Sequence, residues 1–206
     1  MPHPLFGDRS RVARTYRYLA WGYDRLRPLF TGFEHTRDEY FGYLSLADDD
    51  RVLDVGCGTG ESLRRTLGDE RDVHGVDLSP SQLAYAREKA ALRDATLSVA
   101  DATRLPYRNG VFDVVLSIGS LPYVPDVDAA LEEAHRVTGP DGELFVVGPK
   151  YPEGRVARRI ADALMHFLRP ERFATRCRRA GWRDVRTHTV HMDWLGRDAL
   201  VVQARA

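Results

Sequence analysis

A glycine-rich segment directly after an apolar run is the feature that most constrains this fold. Residues 52–62 read VLDVGCGTGES, so Gly56, Gly58 and Gly60 follow a stretch that is typical of a buried strand. Glycine weakens regular structure because it loses more backbone freedom on folding than any other residue. Three glycines at one strand end therefore predict a tight loop whose backbone a ligand approaches closely.

Downstream of this loop, short apolar runs alternate with segments that have helical spacing. The runs typical of strands are RVLDVG, DVHGVDL, ATLSVAD, FDVVLSIG, ELFVVG (after a GPDG turn), and a closing hairpin of WRDVRTHTVHM and ALVVQARA. The segments predicted as helices are 60–67, 80–93, 126–137, 155–168 and 170–180. This alternation is typical of a parallel sheet covered by helices on both faces and joined by right-handed crossovers. The predicted fold class is therefore α/β.

The residues before this alternation are predicted to form a helical cap. Residues 9–30 carry apolar side chains at three- and four-residue spacing, which favours a helix, and 34–46 are predicted as a second helix. The predicted organisation is a single structural unit, with the cap at 1–47 and the α/β domain at 48–206.

Charge and cysteine content exclude several classes of function. The 30 basic and 30 acidic side chains give a formal net charge of zero, which argues against a general nucleic-acid-binding surface. No run approaches the about 20 apolar residues of a membrane span, and the first ten residues lack the apolar core of a signal peptide. Two cysteines fit a reducing compartment, so a cytoplasmic location is predicted, and no metal site is expected.

The spacing of the glycines separates two kinds of nucleotide site. Ligands of an open parallel sheet bind at the carboxyl ends of its strands, and exposed N–H groups there suit a carboxylate or a phosphate. Dinucleotide-binding loops read Gly-x-Gly-x-x-Gly, whereas this loop reads Gly-x-Gly-x-Gly with Asp54 inside the strand. An NAD-dependent oxidoreductase is therefore an alternative that the spacing disfavours.

The loop resembles motif I of the class I S-adenosylmethionine-dependent methyltransferases. Four later segments match that family in order over about residues 16–206: HGVDLS, VADATRLPY, FDVVLSIGSLPYV and RVTGPDGELFVVGP. The resemblance implies a Rossmann-like sheet of seven strands in the order 3-2-1-4-5-7-6, with the last strand antiparallel. It also implies a methyltransferase that uses S-adenosyl-L-methionine and releases S-adenosyl-L-homocysteine. A non-catalytic S-adenosylmethionine-binding module is the second alternative.

The resemblance assigns a role to each matching residue. Gly56 and Gly58 let the methionine part of the cofactor lie against the loop, and Asp77 accepts hydrogen bonds from both ribose hydroxyls. Asp101 and the N–H of Ala102 read the adenine edge. The predicted cofactor-binding set is Tyr16, Tyr23, Asp54, Gly56, Cys57, Gly58, Gly60, Asp77, Leu78, Asp101, Ala102 and Ser117.

The segment YRYLAWGYDRLRPLF bears on the acceptor. It resembles the helix before motif I in quinone-biosynthesis methyltransferases and in small phospholipid N-methyltransferases. Tyr16 and Tyr23 would there face the sulfonium or the acceptor, or would only fill the interface between the cap and the core. The loop has Gly-Cys-Gly where the quinone group usually has Ala-Gly-Gly, so the predicted acceptor is a small or lipid-like molecule. Nucleic acid is disfavoured, because SIGSLPY lacks the amide-Pro-Pro motif of base methylases and two lysines cannot build a ribose-methylating tetrad.

Catalytic groups and membrane contact are the last expectations. Tyr123 and His35 are the predicted general-base candidates, chosen by side-chain type and by position near the acceptor. Arginine is concentrated in residues 1–31 and 151–183, which are predicted to border the acceptor mouth. This favours an anionic acceptor or a membrane-surface contact, with a solvated basic face as the alternative.

Overall fold

The computed structural model describes residues 39–66, 71–121, 124–151, 169–191 and 198–206. The strands are β1 (Arg51–Val55), β2 (Asp72–Asp77), β3 (Thr96–Val99), β4 (Phe112–Ile118), β5 (Thr138–Pro149), β6 (Arg183–His191) and β7 (Asp198–Arg205). The helices are α1 (Glu61–Thr66), α2 (Pro80–Arg87), α3 (Val127–Val137) and α4 (Pro170–Arg179), with a 3-10 turn at Ala90–Leu92.

The strands form one seven-stranded sheet in the order β3-β2-β1-β4-β5-β7-β6, which confirms the predicted order. Strands β1 to β5 pair in parallel, and β7 runs antiparallel to both β5 and β6. The ends of β1 to β6 and the start of β7 therefore share one edge, named here the carboxyl edge. The opposite edge, where Arg183 begins β6 beside Arg205, is named the amino edge.

Both faces of the sheet are covered, because the strands are apolar on both sides. On one face α3 and α4 bury Leu131, Phe173 and Trp182, and the indole N–H of Trp182 donates to the Leu131 carbonyl at 3.1 Å. On the other face α1 and α2 bury Leu63 and Leu83. This two-sided burial is what a parallel sheet requires, and it leaves the carboxyl edge as the place where polar side chains can meet.

Three predicted elements have different bounds in the structure. In the described part of the predicted helix 34–46, helical backbone ends at Phe41. Helix α2 ends at Arg87 rather than at residue 93. The predicted GPDG turn lies inside β5 as a bulge, where Asp141 adopts a φ of 61° and the pairing with β4 shifts. Aspartate tolerates this left-handed backbone better than most residues, so the strand continues through it.

Several predictions fall on residues outside the described ranges. These are the helices 9–30 and 155–168, most of the cap, and the side chains of Tyr16, Tyr23, His35 and Tyr123; all of them stay predictions. In the part of the chain that is described, no helix is long and apolar enough to cross a membrane.

Candidate functional site

The glycine loop is attached to the neighbouring strand. The N–H groups of Gly56 and Cys57 both donate to the carbonyl of Val76, at 2.7 and 3.0 Å. The loop then closes with a bond from the Gly60 N–H to the Cys57 carbonyl at 2.9 Å. It is therefore a fixed part of the carboxyl edge, lying between the ends of β1 and β2.

The three glycines of this loop have positive φ angles but different surroundings. A Cβ at Gly56 would lie 2.3 Å from the Cβ of Ser120, and one at Gly60 would lie 2.3 Å from Leu92 Cδ1. A Cβ at Gly58 would have no atom within 4 Å. The structure thus gives Gly56 and Gly60 a packing role in addition to the predicted one, and only Gly58 faces open space where a ligand could approach.

Asp77 links the loop to the end of β2. Its Oδ2 accepts from the N–H of Gly58 at 2.9 Å, and its Oδ1 accepts from the N–H of Ser79 at 2.8 Å. Burial raises the pKa of Asp77 above its ordinary value, and hydrogen bonds from these two N–H groups reduce the rise without cancelling it. A carboxylate has about four lone-pair sites, so both oxygens can accept one further hydrogen bond each. This capacity fits the predicted pair of ribose hydroxyls.

Asp54 is a fully buried carboxyl group on β1, and it is incompletely satisfied. Neither of its oxygens has a hydrogen-bond partner in the described part of the chain. Burial raises its pKa to about 7, the charge of Asp77 adds to the rise, and the nearby Ser62 side chain reduces it. Burying such a group without a partner is costly. A cationic group, such as the ammonium of a bound amino acid, would fit as a partner for this carboxylate.

Two exposed apolar side chains flank the other end of the site. Leu78, just after β2, is 37% exposed, and Val99, the last residue of β3, is 52% exposed. Asp77 and Val99 pair across β2 and β3, so both apolar side chains lie near the ribose-binding candidate. Val99 was not among the predicted residues, and its only signal in the sequence is its position at the end of a strand, two residues before Asp101.

Asp101 begins a closed turn after β3. Its Oδ1 accepts from the N–H and the hydroxyl of Thr103, at 2.9 and 2.8 Å, and the Arg104 N–H donates to the Asp101 carbonyl at 2.9 Å. The half-buried Ala102 lies inside this turn. The turn fixes the direction of the carboxylate, so Asp101 and Ala102 can present an acceptor and an N–H together.

A pair of serines lies beneath the glycine loop. Ser117 Oγ and Ser120 Oγ lie 3.1 and 2.6 Å from the carbonyl oxygen of Val55, and 2.5 Å from each other. They tie the end of β4 to the end of β1. Ser117 was predicted and Ser120 was missed, although both follow from the Ser-x-x-Ser spacing once β4 is placed. Cys57, inside the glycine loop, is also buried, and burial raises the pKa of its thiol, so this side chain fills space within the loop rather than presenting a thiolate.

The arginine-rich segment 151–183 is described at Tyr151 and from Arg169 onwards. Arg169 lies at the start of α4 with its guanidinium 3.6 Å from the ring centre of Tyr151, the second residue after β5. Helix α4 then runs towards the start of β6 at the amino edge, with Arg178 and Arg179 in its last turn, whereas Arg176 pairs with Asp128 in the first turn of α3 at 3.3 Å. Residues 152–168 lie outside the described ranges, so the prediction that this segment borders the acceptor mouth stays a prediction. Among the described residues, no group of His, Cys, Asp or Glu is arranged to hold a metal ion.

Comparisons with known proteins support the same class of site. A family model described as a methyltransferase domain matches residues 53–146. A 2-methyl-6-phytyl-1,4-hydroquinone methyltransferase of Oryza sativa is 35% identical over 94% of this chain and 57% of its own length. A demethylmenaquinone methyltransferase of Staphylococcus aureus is 28% identical over 79% of this chain and 70% of its own length. The chain thus spans little more than half the length of the plant relatives it matches.

Solved structures share the fold. A Haemonchus contortus phosphoethanolamine N-methyltransferase in complex with phosphomonomethylethanolamine and S-adenosylhomocysteine superimposes with a TM-score of 0.79 at 16% identity, over 96% of this chain and 60% of that chain. At this identity the likeness concerns the fold alone.

Proposed function

Because this chain belongs to the class I S-adenosylmethionine-dependent methyltransferases, we propose that it binds S-adenosyl-L-methionine at the carboxyl ends of β1 to β3 and methylates a small quinone-like acceptor. The observation that carries the proposal is the buried Asp54 carboxylate, which has no hydrogen-bond partner in the described part of the chain. It lies at the same carboxyl edge of the sheet as the open space at Gly58 and the two-oxygen acceptor Asp77, which ends the neighbouring strand β2.

The protein's contribution is alignment. The sulfonium of the bound cofactor supplies a methyl group that is already activated, so positioning and exclusion of water are what the chain must provide. Asp54 would hold the ammonium, and Asp77 would hold the ribose. Leu78 and Val99 would cover the faces of the adenine. The serine pair would hold the end of β4 in a fixed position beneath the reacting centre.

The acceptor class rests on the relatives. The names of the rice and staphylococcal proteins give a prenylated hydroquinone and a demethylmenaquinone as their acceptors. These names favour an electron-rich hydroquinone ring with an apolar substituent here, within the small or lipid-like class that the sequence predicts. The Gly-Cys-Gly departure in motif I therefore does not argue against a quinone acceptor. Tyr123 and His35 stay the general-base candidates, and a cytoplasmic location stays a prediction.

Calorimetric titration of the purified chain tests cofactor choice. We expect S-adenosyl-L-homocysteine to bind and NAD to give no heat. Transfer of a labelled methyl group is then measured with a short-chain prenylated hydroquinone and with phosphoethanolamine as the control acceptor. Binding without transfer to any acceptor would favour the non-catalytic alternative, and NAD binding alone would overturn the proposal.

A membrane-surface contact is a separate proposal about the same acceptor. It is measured by co-sedimentation with vesicles of phosphatidylcholine alone and of phosphatidylcholine with phosphatidylglycerol. Salt-sensitive recovery with the anionic vesicles only is the expected result. Equal, salt-independent recovery with both vesicles would reject it.

A further inference from the structure

The connection from β3 to β4 crosses a face of the sheet without a helix. Residues 100–111 start at the carboxyl edge and reach the amino edge over α3, and none of them is helical. Parallel crossovers usually satisfy their backbone groups inside a helix. Buried backbone N–H and C=O groups need partners, so this segment must find them elsewhere.

Helix α3 supplies those partners through two side chains, Glu133 and Arg136. Glu133 Oε2 accepts from the N–H of Leu105 at 2.8 Å, and Arg136 Nη2 donates to the carbonyl of Leu105 at 3.1 Å. Arg136 Nη1 also donates to the Tyr107 carbonyl at 2.8 Å and to the Asn109 side chain at 2.9 Å. Both backbone groups of Leu105 are thus held by one acid–base pair.

The pair is itself a two-point contact. Arg136 Nε donates to Glu133 Oε1 at 2.7 Å, and Arg136 Nη2 donates to Glu133 Oε2 at 2.8 Å. Two parallel charge-assisted bonds fix the plane of both groups, which a lysine could not do. The pairing lowers the pKa of Glu133 and raises that of Arg136, so both stay charged around neutral pH. We name this arrangement the α3 clamp.

The clamped residue directly follows the turn that is expected to read adenine. Asp101 and Arg104 close that turn by a backbone bond and an antiparallel bridge, and Leu105 is the next residue. Leu105 is also buried in the core on the same face. A shift of Leu105 would therefore move residues 101–104 as a unit, and with them the carboxylate of Asp101.

We propose that Glu133 and Arg136 are positioning residues that hold the turn 101–104 in register with the adenine edge and so set the discrimination between adenine and other purines. The inference rests on the proposed function. It predicts that the clamp acts on base recognition rather than on cofactor binding as a whole, because neither side chain reaches the glycine loop or Asp77.

The test compares two nucleosides in Glu133→Gln. Affinities of S-adenosyl-L-homocysteine and S-inosyl-L-homocysteine, which carries an oxygen in place of the 6-amino group, are measured for the wild type and the variant. We expect the preference for adenine to fall about tenfold, since one charged hydrogen bond is lost from the clamp. Glu132→Gln is the matched control, because this neighbouring side chain is exposed on the same helix.

Outcomes of this test separate the two proposals. A wild type that binds neither nucleoside would overturn the proposed function and this inference together. A wild type that prefers adenine, with an unchanged preference in Glu133→Gln, would overturn the clamp alone. An equal proportional loss of affinity for the two nucleosides would show that Glu133 has a general structural role, and would also overturn the clamp proposal. Arg136→Lys, which keeps the charge but loses the two-point contact, serves as the second variant should Glu133→Gln fail to fold.

Discussion

Two carboxyl groups on opposite sides of this molecule illustrate two uses of an acidic side chain. Asp54, at the end of β1, is fully buried, has no hydrogen-bond partner in the described structure, and has its pKa raised to about 7. Glu133, on α3, accepts bonds from Leu105 and Arg136, which lower its pKa. The incompletely satisfied group fits a site that a ligand completes, and the satisfied group fits a scaffold that holds the site.

The glycine loop contains a similar contrast, between a residue packed in the scaffold and a residue open to a ligand. Substitution of the packed residue should have the largest effect. Gly56→Ala should lower the free energy of unfolding by about 3 kcal/mol or more, because the new Cβ would meet Ser120 at 2.3 Å and the backbone has a φ of 79°. Gly58→Ala has open space, so its positive φ should cost only about 1 kcal/mol. Denaturant unfolding measures both.

Binding should show the reverse order for these two variants. Relative to its small loss of stability, Gly58→Ala should weaken S-adenosyl-L-homocysteine binding more than Gly56→Ala does. The reason is that the new methyl group at position 58 enters the space that the ligand would occupy. Equal stability losses in the two variants, or an unaffected affinity in Gly58→Ala, would break the distinction between a packed side and an open side of the loop.

Asp77 is expected to give the next largest effect, on affinity. Asp77→Ala removes two acceptors for ribose hydroxyls and should weaken S-adenosyl-L-homocysteine binding about 100-fold. Because Asp77 also holds the Gly58 N–H, part of that loss would come from the loop. The 2′,3′-dideoxy analogue separates the two contributions: the variant should bind it with a much smaller penalty, and an equal penalty would remove the ribose role.

Local patterns explain why so much of this edge could be predicted from the sequence. The glycine spacing, the strand alternation and Asp77 at a strand end are all visible within about twenty residues of each other. Ser120 and Val99 needed the placement of β4 and β3 side by side with β1 and β2. The clamp was invisible for the same reason: Glu133 and Leu105 are 28 positions apart, and only packing of α3 on the crossover brings them together.

Asp54 shows a different limit of sequence reasoning. Its position in motif I could be read from the sequence, but its lack of a hydrogen-bond partner could not, because that depends on every side chain packed around it. The different surroundings of Gly56 and Gly58 belong to the same category.

The pH dependence of stability sharpens the comparison between the two carboxyl groups. The folded-state pKa of Asp54 lies above its unfolded value, so the folded chain binds more protons between about pH 4 and 7. The contribution of Asp54 to the free energy of unfolding therefore falls as pH rises through that window, by up to about 1.4 kcal/mol per pH unit. Asp54→Asn should flatten this slope.

Ligand affinity gives an independent reading of Asp54. If its carboxylate holds the ammonium, S-adenosyl-L-homocysteine should bind more tightly as pH rises towards 7, and Asp54→Asn should remove that dependence. A wild-type affinity that is flat between pH 5.5 and 8 would contradict the assignment.

The pH dependence of stability that Glu133 contributes should have the opposite sign and should be the smallest of these effects. Its folded-state pKa lies below the unfolded value, so its contribution is present at neutral pH and is lost as pH falls below about 4.5. The group is partly exposed, so solvent screening limits the difference between wild type and Glu133→Gln to about 1 kcal/mol at pH 7. Urea unfolding at pH 7 and at pH 3 measures it, with Glu132→Gln as the control. The difference should be smaller at pH 3 than at pH 7, because protonation of Glu133 removes the charge that Glu133→Gln lacks at every pH. A difference that persists undiminished there would mean that packing, rather than charge, holds the crossover on α3.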